Sequence, residues 1–139
     1  MPTSMRAFST NLRRLAEGLE DHAGRLVEEV TERVHGALVL GTPVKTGFAR
    51  SNWLVGINDE PDGTVPIRSE LDTIKYGQSV VRGRVKGDAE VSIVSNVHYV
   101  PLLDAGSSRK APAGFVLKAV VIGVKVAAEA WFKRGGWKL

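Results

Sequence analysis

The chain has 139 residues, 43% of them hydrophobic and 24% charged, the proportions of a globular protein with one modest core. It contains no cysteine, which excludes disulfides, thiolate chemistry and cysteine-based zinc sites. The 19 basic and 15 acidic side chains leave a net charge of +4, well short of the balance of a dedicated nucleic-acid binder.

From Ser4 to Leu40 the apolar positions run Phe8, Leu12, Leu15, Leu19, Ala23, Leu26, Val30, Val34, Ala37 and Leu38. Steps of three and four predict one stripe on a long helix over residues 4–40, capped by Thr3 or Ser4 and stopped by Gly41-Thr42-Pro43. Such a helix is roughly 55 Å long at ~1.5 Å per residue. A globule of this size has a radius of gyration of only ~14 Å. The helix must therefore break, with Gly18, Gly24 and Gly36 as the candidate points, or project beyond its own domain. A projecting amphipathic helix needs a partner for its stripe.

An irregular or briefly helical stretch follows Pro43 and leads into a strand over Trp53–Asn58, by alternation. Asp59-Glu60-Pro61-Asp62-Gly63 is a turn, and Thr64–Arg68 reads as loop. Ser69 with Asp72 opens a helix through Leu71, Ile74, Gln78, Val81 and Val85, against which Gly77 and Gly83 count. The competing reading makes Ser79–Val85 a strand, because Val80 and Val81 favour β structure. Gly87-Asp88 turns into a second strand over Ala89–Val97, and His98–Ala105 forms a short helical turn opened by Pro101. A second long helix is expected over residues 111–134, its stripe made by Val116, Ala119, Val120, Gly123, Ala127 and Ala130. A flexible tail over residues 135–139 carries Trp137 and Leu139. The expected fold is a single α+β domain, with two long helices on a small antiparallel sheet. The apolar run Ala111–Ala130 is broken by Lys118, Gly123, Lys125 and Glu129, so no membrane span is expected. Arginines at Arg6, Arg13 and Arg14 leave no signal-peptide core, and nothing suggests export.

Motifs of chemistry are scarce. Ser95, His98 and Asp104 supply the residue types of a nucleophilic triad without a nucleophile elbow, and chance explains them better. Glu28 with Arg25 and Glu29 with Arg33 have the spacing of solvated helix pairs. His22, His35 and His98 are too scattered for a metal site, and His22 and His35 read as surface or flank residues. Gly83-Arg84-Val85-Lys86-Gly87 lacks the pattern of a phosphate loop. No enzyme activity, metal or cofactor is expected. A basic group remains, Arg82, Arg84 and Lys86 with Arg109 and Lys110 as further members. Its ordinary reading is a solvated face; the sharper one is a lining near DNA phosphates that does not read sequence. The loop Leu103–Val116, rich in glycine, proline and small polar residues, has the character of a partner-contact loop.

Two stretches carry a resemblance. Thr42-Pro43-Val44-Lys45-Thr46-Gly47-Phe48-Ala49-Arg50-Ser51-Asn52-Trp53 precedes a strand. Asn96 and Tyr99 are followed by Leu103-Asp104-Ala105-Gly106-Ser107-Ser108-Arg109-Lys110-Ala111-Pro112-Ala113-Gly114-Phe115-Val116. In this order, after a long N-terminal helix, they resemble the tail-component, or neck, family of lambda-like siphophages related to minor tail protein Z. Asp104, Lys110 and Phe115 stand where that family more often has glutamate, glutamine and methionine.

The resemblance implies a structural protein of the head–tail joint, made in the bacterial host cytoplasm and residing in the virion. It further implies a homo-oligomeric ring, a hexamer matching tail symmetry, around the DNA channel. Its partners would be neck and tail proteins: head-closure, tail-terminator or tube. Motif and interface candidates are Thr46, Gly47, Arg50, Trp53, Tyr99, Asp104, Gly106, Ser107, Lys110, Pro112 and Gly114; channel-lining candidates are Arg82, Arg84, Lys86 and Arg109. The rival reading is a nucleic-acid-binding module using the same basic patch.

Overall fold

The structure, a computed structural model, describes residues 5–106 and 113–135, and residues 5–20 by their backbone alone. Helix α1 (Met5–Gly41) runs 37 residues without a break, so none of its glycines interrupts it. Gly41 ends it as expected, and Thr42 closes the last turn by donating both its N–H and its hydroxyl to the Leu38 carbonyl. After the one-turn α2 (Phe48–Ser51), strand β1 (Leu54–Ile57) pairs antiparallel with β2 (Val91–Val94), Leu54 opposite Val94 and Ile57 opposite Val91. Asn58 ends β1 in a left-handed conformation at φ 55°, which asparagine tolerates better than most residues.

Between the strands lies α3 (Glu70–Val81), with the Ser69 hydroxyl accepting from the Asp72 N–H at 3.0 Å, as the sequence predicts. The helix reading of this segment holds to Val81; beyond it Arg82–Arg84 form a turn with Gly83 at φ 71°, not the expected helical continuation to Val85. The short α4 (Val100–Asp104) has its proline in the first turn. The last helix, α5 (Phe115–Lys133), starts later than expected, because Gly114 is left-handed at φ 80° and lies outside the helix as its cap. Residues 111–112 and the tail at 136–139 lie outside the described residues.

Helices α1 and α5 pack antiparallel. Ala119 lies beside Gly41, Gly123 against Val34, and Trp131 edge-on to His22. The buried stripe of α5 falls on every fourth residue: Phe115, Ala119, Gly123, Ala127 and Trp131. Gly123 is a contact requirement, since a Cβ there would stand 2.5 Å from the Val34 Cα. The core gathers Val34, Leu38, Val39, Ala49, Trp53, Val97, Val100, Phe115 and Ala119 between α1, α5 and the sheet. At ~1.5 Å per residue, the 19 residues of α5 cover roughly half of the 37-residue α1. The turns of α1 before His22 therefore run on past the end of α5.

Candidate assembly surface

The first motif builds a closed corner. Gly47 caps α2 in a left-handed conformation, φ 89°, and the Thr46 hydroxyl accepts from the Phe48 N–H. Ser51 and Asn52, both fully buried, hold the following loop like two staples. The Ser51 hydroxyl contacts the backbone of Arg68, accepting from its N–H at 3.0 Å. Asn52 accepts from the Val65 N–H at 2.7 Å and donates to the Val65 and Phe48 carbonyls. Trp53 anchors the corner in the core: its indole N–H donates to the Thr42 hydroxyl at 2.7 Å and its ring is buried. Arg50 folds back over Gly47 and reaches Glu70 at 3.9 Å.

The second motif fixes the entry to α5. The carboxylate of Asp104 accepts from the Val116 N–H at 3.0 Å, and its backbone carbonyl accepts from the Gly114 N–H at 2.7 Å. Gly114 has no side chain to cap the helix, so an acid from α4 supplies the missing acceptor and the favourable charge at the helix N-terminus. Gly106, at φ 96°, brings the other side of the loop against Ala113. Tyr99 precedes α4 and packs on the core. Ser107, Arg109, Lys110 and Pro112 lie outside the described residues.

The fold brings the two motifs together, since Trp53, Asp104 and Val116 line one open depression of 500 Å³ with Ser95 and His98. Ser95, His98 and Asp104 make no hydrogen bond with one another among the described residues. The Asp104 carboxylate is committed to Val116, Ser95 accepts from the Val97 N–H, and His98 stands edge-on to Tyr99.

Two expectations need correction, those for His35 and Glu28. His35 is not a surface residue: it is 1% exposed, its Nε2–H donating to the Trp53 carbonyl at 2.8 Å. Burial pushes its imidazole below the ordinary value; the Trp53 bond opposes that shift, and the positive charge of Arg68 adds to it. Arg82 is exposed, and its guanidinium lies 2.8 Å from the Glu32 carboxylate. Glu28, expected to pair with Arg25, accepts from the Gly83 N–H at 3.2 Å. Arg84 and Lys86 are exposed, and the Glu29–Arg33 pair forms as expected at 3.2 Å. Among the described residues no group of histidines and acids could hold a metal ion, and no described helix is long and apolar enough to cross a membrane.

A second stripe on α5 escaped the sequence reading. Leu117, Val121, Val124 and Phe132 are 69%, 57%, 43% and 65% exposed, and steps of four, three and eight keep them on one side of the helix. Ala128 fills the gap between the last two. The spacing was visible, but the residues opposite supplied a sufficient core stripe and drew the reading to themselves. Ile122 and Val126, also exposed, line a groove of 380 Å³ against α1 and α3. A helix apolar on nearly every side yet buried on one belongs in a larger assembly.

Fold and surface define a small α+β protein built around turns, with an apolar row exposed on its last helix. The sequence matches, over residues 6–106, the family described as "Bacteriophage HK97-gp10, putative tail-component". The chain belongs to that family of phage tail components, which places it in the virion among tail proteins. Neither curated proteins nor solved structures give a match.

Proposed function

We propose that this chain completes the head–tail joint as a closed ring of identical subunits, a hexamer matched to tail symmetry, with DNA passing through its centre. The role is assembly, with no catalytic step and no cofactor. Family membership supports a tail-related place, and the outer face of α5 is the observation that carries the reading. Covering a large apolar side chain contributes about 2 kcal/mol. A row of three, Leu117, Val121 and Val124, can offset much of the cost of association, which is of order 4–15 kcal/mol. Heterologous contacts repeated round a closed ring cover such a face on every copy.

Head-closure and tail-terminator or tube proteins are the proposed neighbours. Arg84 and Lys86 are the described cations proposed to face the channel, where they would lower repulsion without reading sequence. A nucleic-acid-binding module is the weaker reading, because Glu32 already holds Arg82. Deletion of the gene from its phage tests the proposal. The expected result is DNA-filled heads and separate tails, restored to infectious particles by the wild-type gene; infectious, normally joined particles from the deletion contradict it.

A further inference from the structure

Two helical seams in this chain have the same spacing and about the same length. The outer face of α5 sets Leu117, Val121, Val124 and Ala128 at steps of four, three and four. In the sequence of α1, Phe8, Leu12, Leu15 and Leu19 repeat those steps. This is the pattern of a coiled-coil seam, in which each knob fits between residues of a facing helix.

Geometry separates the two seams within one chain. Trp131, near the end of α5, lies against His22, so the turns of α1 from Met5 to about Glu20 extend roughly 24 Å past that contact. The α5 face from Leu117 to Ala128 is about 17 Å long, the same as the stretch of α1 from Phe8 to Leu19. Further along, α1 packs at Val34 on Gly123 of its own α5, and its backbone runs on beyond the end of that helix. The α5 face points away from its own α1, because the buried stripe at Ala119, Gly123 and Ala127 lies on the opposite side.

We propose that the early turns of α1 from one copy lie along the outer face of α5 of the next copy. The contact is heterologous: donor and acceptor surfaces differ, so each subunit gives one and receives one, and the chain of contacts closes as a ring. The inference rests on the ring reading and names its interface.

The absence of native cysteine makes cross-linking clean. Two full-length double variants are made, Leu12→Cys with Val121→Cys and Leu15→Cys with Val121→Cys, matching parallel and antiparallel alignment. Oxidation of one of them is expected to give a ladder at multiples of 15.0 kDa. Val121→Glu, at an exposed position, is expected to dissociate the oligomer while circular dichroism and thermal unfolding stay as in wild type. Wild-type-like oligomers of Val121→Glu, with no ladder from either pair, overturn this interface and leave the ring reading standing. A wild-type chain that is monomeric at all concentrations overturns both.

Discussion

The Nε2–H of His35 on α1 donates to the backbone carbonyl of Trp53 at 2.8 Å, tying the long helix to the residue that opens β1. The imidazole must be neutral to sit there, since burial disfavours its charged form and Arg68 adds to the effect. The unfolded chain takes up a proton near its ordinary value of 6.5 that the folded chain refuses. Stability is therefore full above about pH 6.5 and falls as pH drops below it, by up to about 1.4 kcal/mol per unit, until the folded imidazole itself protonates. Urea unfolding between pH 7.5 and 5.5 checks this. In His35→Gln, which still donates but does not titrate, the slope should shrink; parallel profiles for the two proteins would sink the assignment.

Gly77 sits mid-helix in α3, and a Cβ there would run into the His35 ring. Alanine would ordinarily stabilise a helix interior by about 1 kcal/mol. Here the imidazole is held by Trp53 and cannot withdraw, so overpacking wins. Gly77→Ala should destabilise by about 2 kcal/mol and lower Tm by roughly 5–10 °C in a thermal melt.

The same pair shows where the sequence was legible. Spacing alone located both long helices, the two strands and their antiparallel pairing, and the Ser69 cap. Gly77 counted against α3 because local propensity cannot register a ring arriving from a helix 42 positions earlier (77 against 35). The Arg82–Glu32 pair is hidden from the sequence for the same reason: the two residues are 50 positions apart. The corner motif was legible as a motif through Gly47 and Trp53, but the buried bonds of Ser51 and Asn52 to the 65–68 loop were not. Polar side chains look like surface until the fold brings a backbone to them.

Asp104→Ala removes the only side-chain acceptor seen for the first turn of α5 among the described residues. The expected loss is about 1 kcal/mol, with Asp104→Asn losing less because an amide oxygen can still accept. Chemical denaturation measures both. Equal losses would show that packing, not the acceptor, is what Asp104 supplies.

Because Arg82 is matched by Glu32, removing the pair together in Arg82→Ala, Glu32→Gln should leave DNA retention by the isolated protein unchanged. Any weak, salt-sensitive retention should fall instead in an Arg84→Ala, Lys86→Ala double variant. Filter binding at 50 and 200 mM salt distinguishes them. Tight retention abolished by Arg82→Ala alone would favour the nucleic-acid-binding reading.

A cryo-electron microscopy map of the phage's head–tail joint asks the decisive question of what lies over Leu117, Val121 and Val124. The account predicts a ring of this subunit with protein density in van der Waals contact along that row. A row facing open solvent in the mature particle, or a subunit missing from the joint, would contradict it.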